Sequence, residues 1–160
     1  MRKIILAAIV ICGSIVSKAQ LPVGKMAPEI SLPNAQDSLV NLSSYKGKVV
    51  LVDFWASWCG PCRAANPSIL RIHKKYKDQG LIVLGVSIDV NKQLWLKAVK
   101  KDKLTFQQVN DNTGLDSKIT DAYRVDLIPT TFLLDKTGMI VAVDEEGKVL
   151  DKLIKQMLSN

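Results

Sequence analysis

The sequence predicts one α/β domain: a mixed β-sheet with helices over both faces and an extended arm in front of it. Three observations carry this reading. Two nearly uninterrupted apolar, β-branched runs, at 49–56 and 81–88, have the pattern of strands buried on both faces. A helically spaced stretch follows each of them, which is the strand-helix alternation of a parallel arrangement. Nearer the C-terminus, apolar runs at 131–134 and 139–143 are separated only by Asp135-Lys136-Thr137-Gly138, close enough to form an antiparallel hairpin.

Residues 1–19 read as a secretory leader, with Arg2 and Lys3 first, an apolar run over 4–16, and a small-x-small cleavage site at Ser17-Lys18-Ala19. A retained N-terminal anchor is the rival reading, although this run of 13 residues is shorter than the roughly 20 needed to cross a bilayer. Ile11, ahead of Cys12, is not the small residue that a lipoprotein signal requires. Without Arg2, Lys3 and Lys18 the 22 basic residues fall to 19 against 15 acidic ones, so the formal charge drops from +7 to +4. That is no footprint for a nucleic acid. The remaining 20–160 is one domain's length and can bury a core without disulfide or metal staples.

Pro22, Gly24, Pro28 and Pro33 forbid a helix over 21–37 and predict an extended arm, with short edge strands near 29–32 and 39–42. A turn at Tyr45-Lys46-Gly47-Lys48 leads into the first buried strand. Gly60-Pro61 punctuates, and 63–79 has helical spacing, with Ile69, Ile72 and Tyr76 on one stripe, Gly80 at the stop and Pro67 placed to kink it. After the second strand, Asn91 caps a helix to about 101 in which Leu94, Trp95, Ala98 and Val99 face inward. An extended piece at 104–109, a short helix at 116–123 and a strand introduced by Pro129 come next. An amphipathic helix over 147–158 ends the chain, with Val149, Leu150, Leu153, Ile154 and Met157 in register.

Beyond the leader, the cysteines are Cys59 and Cys62 alone. A bridge between them closes almost no loop and is a poor staple, so chemistry is the first explanation for the pair. A structural zinc site needs four ligands, whereas this chain has two such cysteines and one histidine, His73, set among charged neighbours as a solvated helix residue. The pair lies where a buried strand hands over to a helix. Cys59 at the helix start would meet unpaired amides and the positive end of the macrodipole, both of which favour its thiolate. Cys62, one turn on, is placed to bond back to it and to be less exposed. Gly60 and Pro61 hold the turn, since a first-turn proline has no helical hydrogen bond to lose. Asp53 is a lone carboxylate in an apolar strand, where desolvation raises its pKa. Trp55 and Trp95 are core candidates, while Arg63 either supports the thiolate or is simply solvated.

The string Asp53-Phe-Trp-Ala-Ser-Trp-Cys59-Gly-Pro-Cys62-Arg63, with Pro67 and Ile128-Pro129-Thr130, resembles the thioredoxin family over roughly 23–158. The proline-rich arm points to its exported TlpA/ResA-like branch, related to the redoxin and AhpC/TSA proteins. The resemblance implies a thioredoxin-like fold and a thiol-disulfide oxidoreductase that works without a cofactor beyond its own Cys59-Cys62 disulfide. It implies that Cys59 attacks, Cys62 resolves, Asp53 is the buried acid, and Trp58 flanks the nucleophile. Pro129 matches the family's cis-proline, with Ile128, Pro129 and Thr130 facing substrate. A Gly-Pro spacer accompanies reducing pairs, which implies a reductase with protein clients, among them cysteines awaiting haem attachment, and a membrane thiol-disulfide electron donor in the periplasm. A monomer without nucleic-acid partners is expected.

There are two departures from the family. Thioredoxin's lysine on the strand after the active-site helix is replaced by Gly85, and the acid that several exported relatives carry at the inserted helix corresponds only approximately to Asp89, which is therefore left out of the catalytic set. Three alternative activities suit parts of the same pattern. A disulfide-donating oxidase would use the same residues in reverse. A peroxiredoxin-type peroxidase lacks its threonine, since residues 55 and 56 are Trp and Ala, and copper delivery would need His73 to reach the pair.

Overall fold

The computed structural model describes residues 21–159; the leader over 1–19 lies outside them. The elements in order are β1 (Ser31–Pro33), β2 (Leu39–Asn41), β3 (Val49–Trp55), α1 (Gly60–Tyr76), β4 (Leu81–Ser87), α2 (Lys92–Lys101), β5 (Gln107–Asn110), α3 (Lys118–Tyr123), β6 (Thr130–Leu134), β7 (Ile140–Val143) and α4 (Gly147–Ser159). Five strands form the main sheet in the order β5-β4-β3-β6-β7, with β3, β4 and β5 parallel and β6 and β7 antiparallel additions. The expected mixed sheet is therefore present, and all seven residues of β3 are buried because both faces are covered.

Alternation along β3 divides the core into two layers. Val49, Leu51 and Trp55 pack with Ile69, Ile72 and Tyr76 of α1, Trp95 and Ala98 of α2, and Leu150 and Ile154 of α4. Val50, Val52 and Phe54 pack on the other face with Ile30, Tyr123 and Phe132. In that second layer the Phe54, Tyr123 and Phe132 rings meet at centroid distances of 5.1 to 5.9 Å, within the range of favourable aromatic pairs.

The arm is a strap across this second face. At one end Gly24 N–H donates to the Ile140 carbonyl at 2.8 Å, Ile140 N–H returns a bond to Lys25, and Met26 bridges to Met139 beside β7. Ile30 is then fully buried, the Tyr123 hydroxyl donates to the Pro28 carbonyl at 2.6 Å, and Asn34 bridges to Val109 of β5. β1 and β2 pair antiparallel with each other, the hairpin expected of the arm.

Several local expectations are corrected. Leu94 and Val149 are each 52% exposed, because each stands one residue, about 100° of helix, off the face that Trp95 and Leu150 bury. The extended piece expected at 104–109 becomes strand only from Gln107, running to Asn110, with Leu104 and Phe106 buried ahead of it. α1 runs on through Pro67, whose ring is on the exposed side. His73 is not freely solvated. Its ring lies 5.7 Å from that of Phe106, and burial, followed by the Lys77 charge, holds its pKa below the ordinary value.

Candidate active site

Cys59 is the N-cap of α1, as its position after a buried strand predicts, and Pro61 falls in the first turn. The Cys62 N–H donates to Cys59 Sγ at 3.1 Å, so a free helix amide is aimed at the atom that would carry the thiolate. The two cysteines are joined in a disulfide, with Cys59 5% and Cys62 1% exposed. Gly60 and Pro61 are exposed at the turn between them.

The second wall is the loop before β6. The Ile128-Pro129 bond is cis, and the Ile128 carbonyl oxygen lies 3.8 Å from Cys59 Sγ. Ile128 and Pro129 are half-buried beside the sulfur, whereas Thr130 is buried and donates its hydroxyl to the Leu127 carbonyl at 2.8 Å, shaping the loop from within. Trp58, just ahead of the nucleophile, leaves 61% of its surface in solvent. Leu127, on the cis-proline loop, is likewise exposed and extends the apolar rim.

Asp53 lies beneath α1, 4% exposed, and burial pushes its pKa up to about 7. It reaches a cavity of about 550 Å³ between α1, Pro129 and the loop ahead of α4, with Ala64, Ala65, Ser68 and Glu146 among its lining residues.

Sequence reasoning missed the scaffold that fixes the Ser57-Trp58-Cys59 turn. Asp89 is 1% exposed and accepts from the Ser57 backbone N–H at 2.8 Å, from the Ser57 hydroxyl at 2.5 Å and from the Ser87 hydroxyl at 2.8 Å. Asn110 closes this network, donating to the Asp89 carbonyl at 2.9 Å. Arg63 reaches away from the cysteines, pairing with Asp102 at the end of α2 and donating to the Ser57 carbonyl at 3.1 Å. The hydrogen bond from the Arg63 guanidinium holds the Asp102 carboxyl below its usual range, and Asn66 donates to it at 2.8 Å. The one available signal was the apolar run ending in Ser87-Ile-Asp89, where a carboxylate at the strand's end invites a partner. His73 lies 11 residues past Cys62, roughly 16 Å along α1. Among the described residues there is no cluster of three or more His, Cys, Asp or Glu side chains that could hold a metal.

The model of the AhpC/TSA family matches residues 23–143. The chain belongs to the AhpC/TSA family. Within it the chain is 31% identical over 135 residues to the thiol-disulfide oxidoreductase ResA of Oceanobacillus iheyensis, covering 82% of this chain and 69% of that one. It is 32% identical to ResA of Bacillus subtilis over 126 residues, with 79% and 69% covered. Among solved structures, the thioredoxin domain of a thiol-disulfide oxidoreductase from Bacteroides vulgatus superposes with a TM-score of 0.81 at 33% identity, covering 86% of this chain and 99% of that one. A thiol-disulfide oxidoreductase from Bacteroides fragilis gives 0.78 at 38% identity, with 82% and 98% covered. This AhpC/TSA chain thus has the thioredoxin-like fold and is a ResA-like thiol-disulfide oxidoreductase.

Proposed function

We propose that this oxidoreductase is an exported reductase of partner-protein disulfides, acting through Cys59 and Cys62 with no further cofactor. The observation that carries the exchange chemistry is the Cys62 amide directed at Cys59 Sγ at a helix N-terminus, against the half-open Ile128-Pro129 wall, and the Gly60-Pro61 spacer, which accompanies reducing pairs in the family, supports the direction. In the reduced enzyme the Cys59 thiolate attacks one sulfur of a client disulfide. The client's other sulfur leaves as a thiolate, and a mixed disulfide forms. Cys62 gives its proton to the Asp53 carboxylate and attacks Cys59 Sγ. The second client thiolate leaves and takes up a proton, so two electrons pass to the client and the enzyme ends as the disulfide. Trp58, Ile128, Pro129 and Leu127 offer the client an apolar rim, and the exposed edge of the cis-proline loop offers backbone to an extended segment.

Export rests on the leader pattern at 1–19, and no described helix is long and apolar enough to cross a membrane. In an oxidising compartment a membrane dithiol donor would regenerate the enzyme, and cysteines awaiting haem attachment are fitting clients. The test is Cys62→Ala in the full chain: Cys59-linked mixed disulfides accumulate in the cell envelope and disappear on reduction, whereas recovery of none overturns the reading. Direction is read separately, by equilibration with thiol-disulfide buffers. A potential near thioredoxin's, about −270 mV, marks a reductase, and one near about −120 mV a disulfide donor.

A further inference from the structure

Two buried polar side chains stand on one row of the sheet, and among the described residues the Asp53 carboxyl has no hydrogen-bond donor and Gln108 Nε2 no acceptor. Register pairs Asp53 of β3 with Gly85 of β4, and Gly85 with Gln108 of β5, so the three lie side by side across parallel strands. Trp55, two residues beyond Asp53 and on its face, donates its indole N–H to Gln108 Oε1 at 3.0 Å, which places Gln108 on that face as well. Because an indole only donates, this bond also fixes which end of the amide is oxygen. A Cβ at Gly85 would meet Gln108 Oε1 most closely and stand 2.5 Å from Nε2 and 2.7 Å from Cδ, so the whole carboxamide lies flat over the glycine. Nε2 is buried and has no acceptor. Asp53, with burial as the cause of its raised pKa, has no donor in this disulfide form. One strand spacing, about 4.8 Å, separates the rows of Asp53 and Gly85, a gap that rotation of either side chain or one bridging water spans.

We propose that Gln108 is the positioning residue for Asp53, its Nε2–H₂ donating to the carboxylate across the side-chain-free Gly85 while Asp53 awaits the proton of Cys62. A neutral amide from β5 thus fills the place where thioredoxin has a lysine on the strand that here carries Gly85. The inference rests on the proposed role of Asp53. The other groups that face this acid do not substitute for the amide. Ser68 of α1 and Thr131 of β6 are neutral, and Asp144, Glu145 and Glu146 on the shared cavity are acids, which carry no N–H to donate. The cations Arg71, Lys75 and Lys148 line the neighbouring groove. Loss of a donor to the ionised form raises proton affinity.

The test is to follow the Asp53 carboxyl by carbon-13 NMR in the reduced full-length protein across pH, for the parent, Gln108→Met, Trp55→Phe and Asp53→Asn. Gln108→Met is expected to bind the proton about tenfold more tightly, its midpoint rising by about one pH unit. Trp55→Phe, which removes the indole donor but keeps the amide, leaves the midpoint in place. In thiol-disulfide exchange with a model peptide disulfide, the alkaline shift of Gln108→Met disappears when Asp53→Asn is added. An unmoved midpoint in Gln108→Met, or an equal shift in Trp55→Phe, overturns the proposal. The NMR titration needs no client, so failure to find clients would count against the proposed function and leave this result standing.

Discussion

Trp58 keeps most of its indole in solvent next to a cysteine that is almost wholly covered, and so its contribution to binding is separable from its contribution to folding. Removing an exposed side chain with no buried partners changes stability by about 0.5 kcal/mol or less. Trp58→Ala is therefore expected to melt like the parent. It should lose several-fold in kcat/KM on a protein disulfide, chiefly through KM, with little change toward a small disulfide such as oxidised glutathione. Equal losses on both substrates would mean that the indole tunes the nucleophile instead of docking the client. Cys59, Cys62 and Asp53 stood out from local patterns, a helix start and an apolar strand, whereas the cis bond at Pro129 was implied only by the family resemblance. Gln108 was not legible, since its meaning comes from Gly85, 23 positions away, and only the parallel register of β4 and β5 reveals it.

At the scale of elements, the active-site turn hangs between two others. Asp89, after β4, holds the Ser57 backbone and hydroxyl, and Arg63, inside α1, clamps the Ser57 carbonyl while pairing with Asp102 after α2. Asp89→Ala strips acceptors from three buried or half-buried donors, and the expected cost is about 3 kcal/mol in urea unfolding. Faster amide exchange at Ser57 should accompany it, and unchanged exchange would show that the turn is held by other contacts. The Arg63–Asp102 pair is partly exposed, so Arg63→Ala should cost no more than about 1 kcal/mol. Helices and strands were readable from period and caps, to within a few residues at their ends. The exposure of Leu94 and Val149 was not legible, because helical spacing admits both to the apolar stripe while the face that is buried is centred one residue later, on Trp95 and Leu150.

For the whole molecule, the buried acid makes stability depend on pH. Burial lifts Asp53 from 3.8 to about 7, corresponding to about 4 kcal/mol between its protonation states. The folded chain therefore holds a proton that the unfolded chain has released. Its contribution is fully present below about pH 4 and is lost progressively as pH rises through about 7. Asp53→Asn is expected to match the parent in urea melts at pH 4 and to exceed it at pH 8, flattening the profile between; parallel profiles would mean that the acid is ionised without penalty.

The strap over 24–34 has a consequence of another kind. A five-stranded open sheet ends in two rows of unpaired backbone groups, which can template growth by a neighbouring chain. Here one short segment occupies part of both rows, bonding at Ile140 on one side and bridging to Val109 on the other. The same residues that finish the core thereby guard the molecule against edge-to-edge aggregation, a protection useful to a thiol-disulfide oxidoreductase that must meet other chains without joining their sheets.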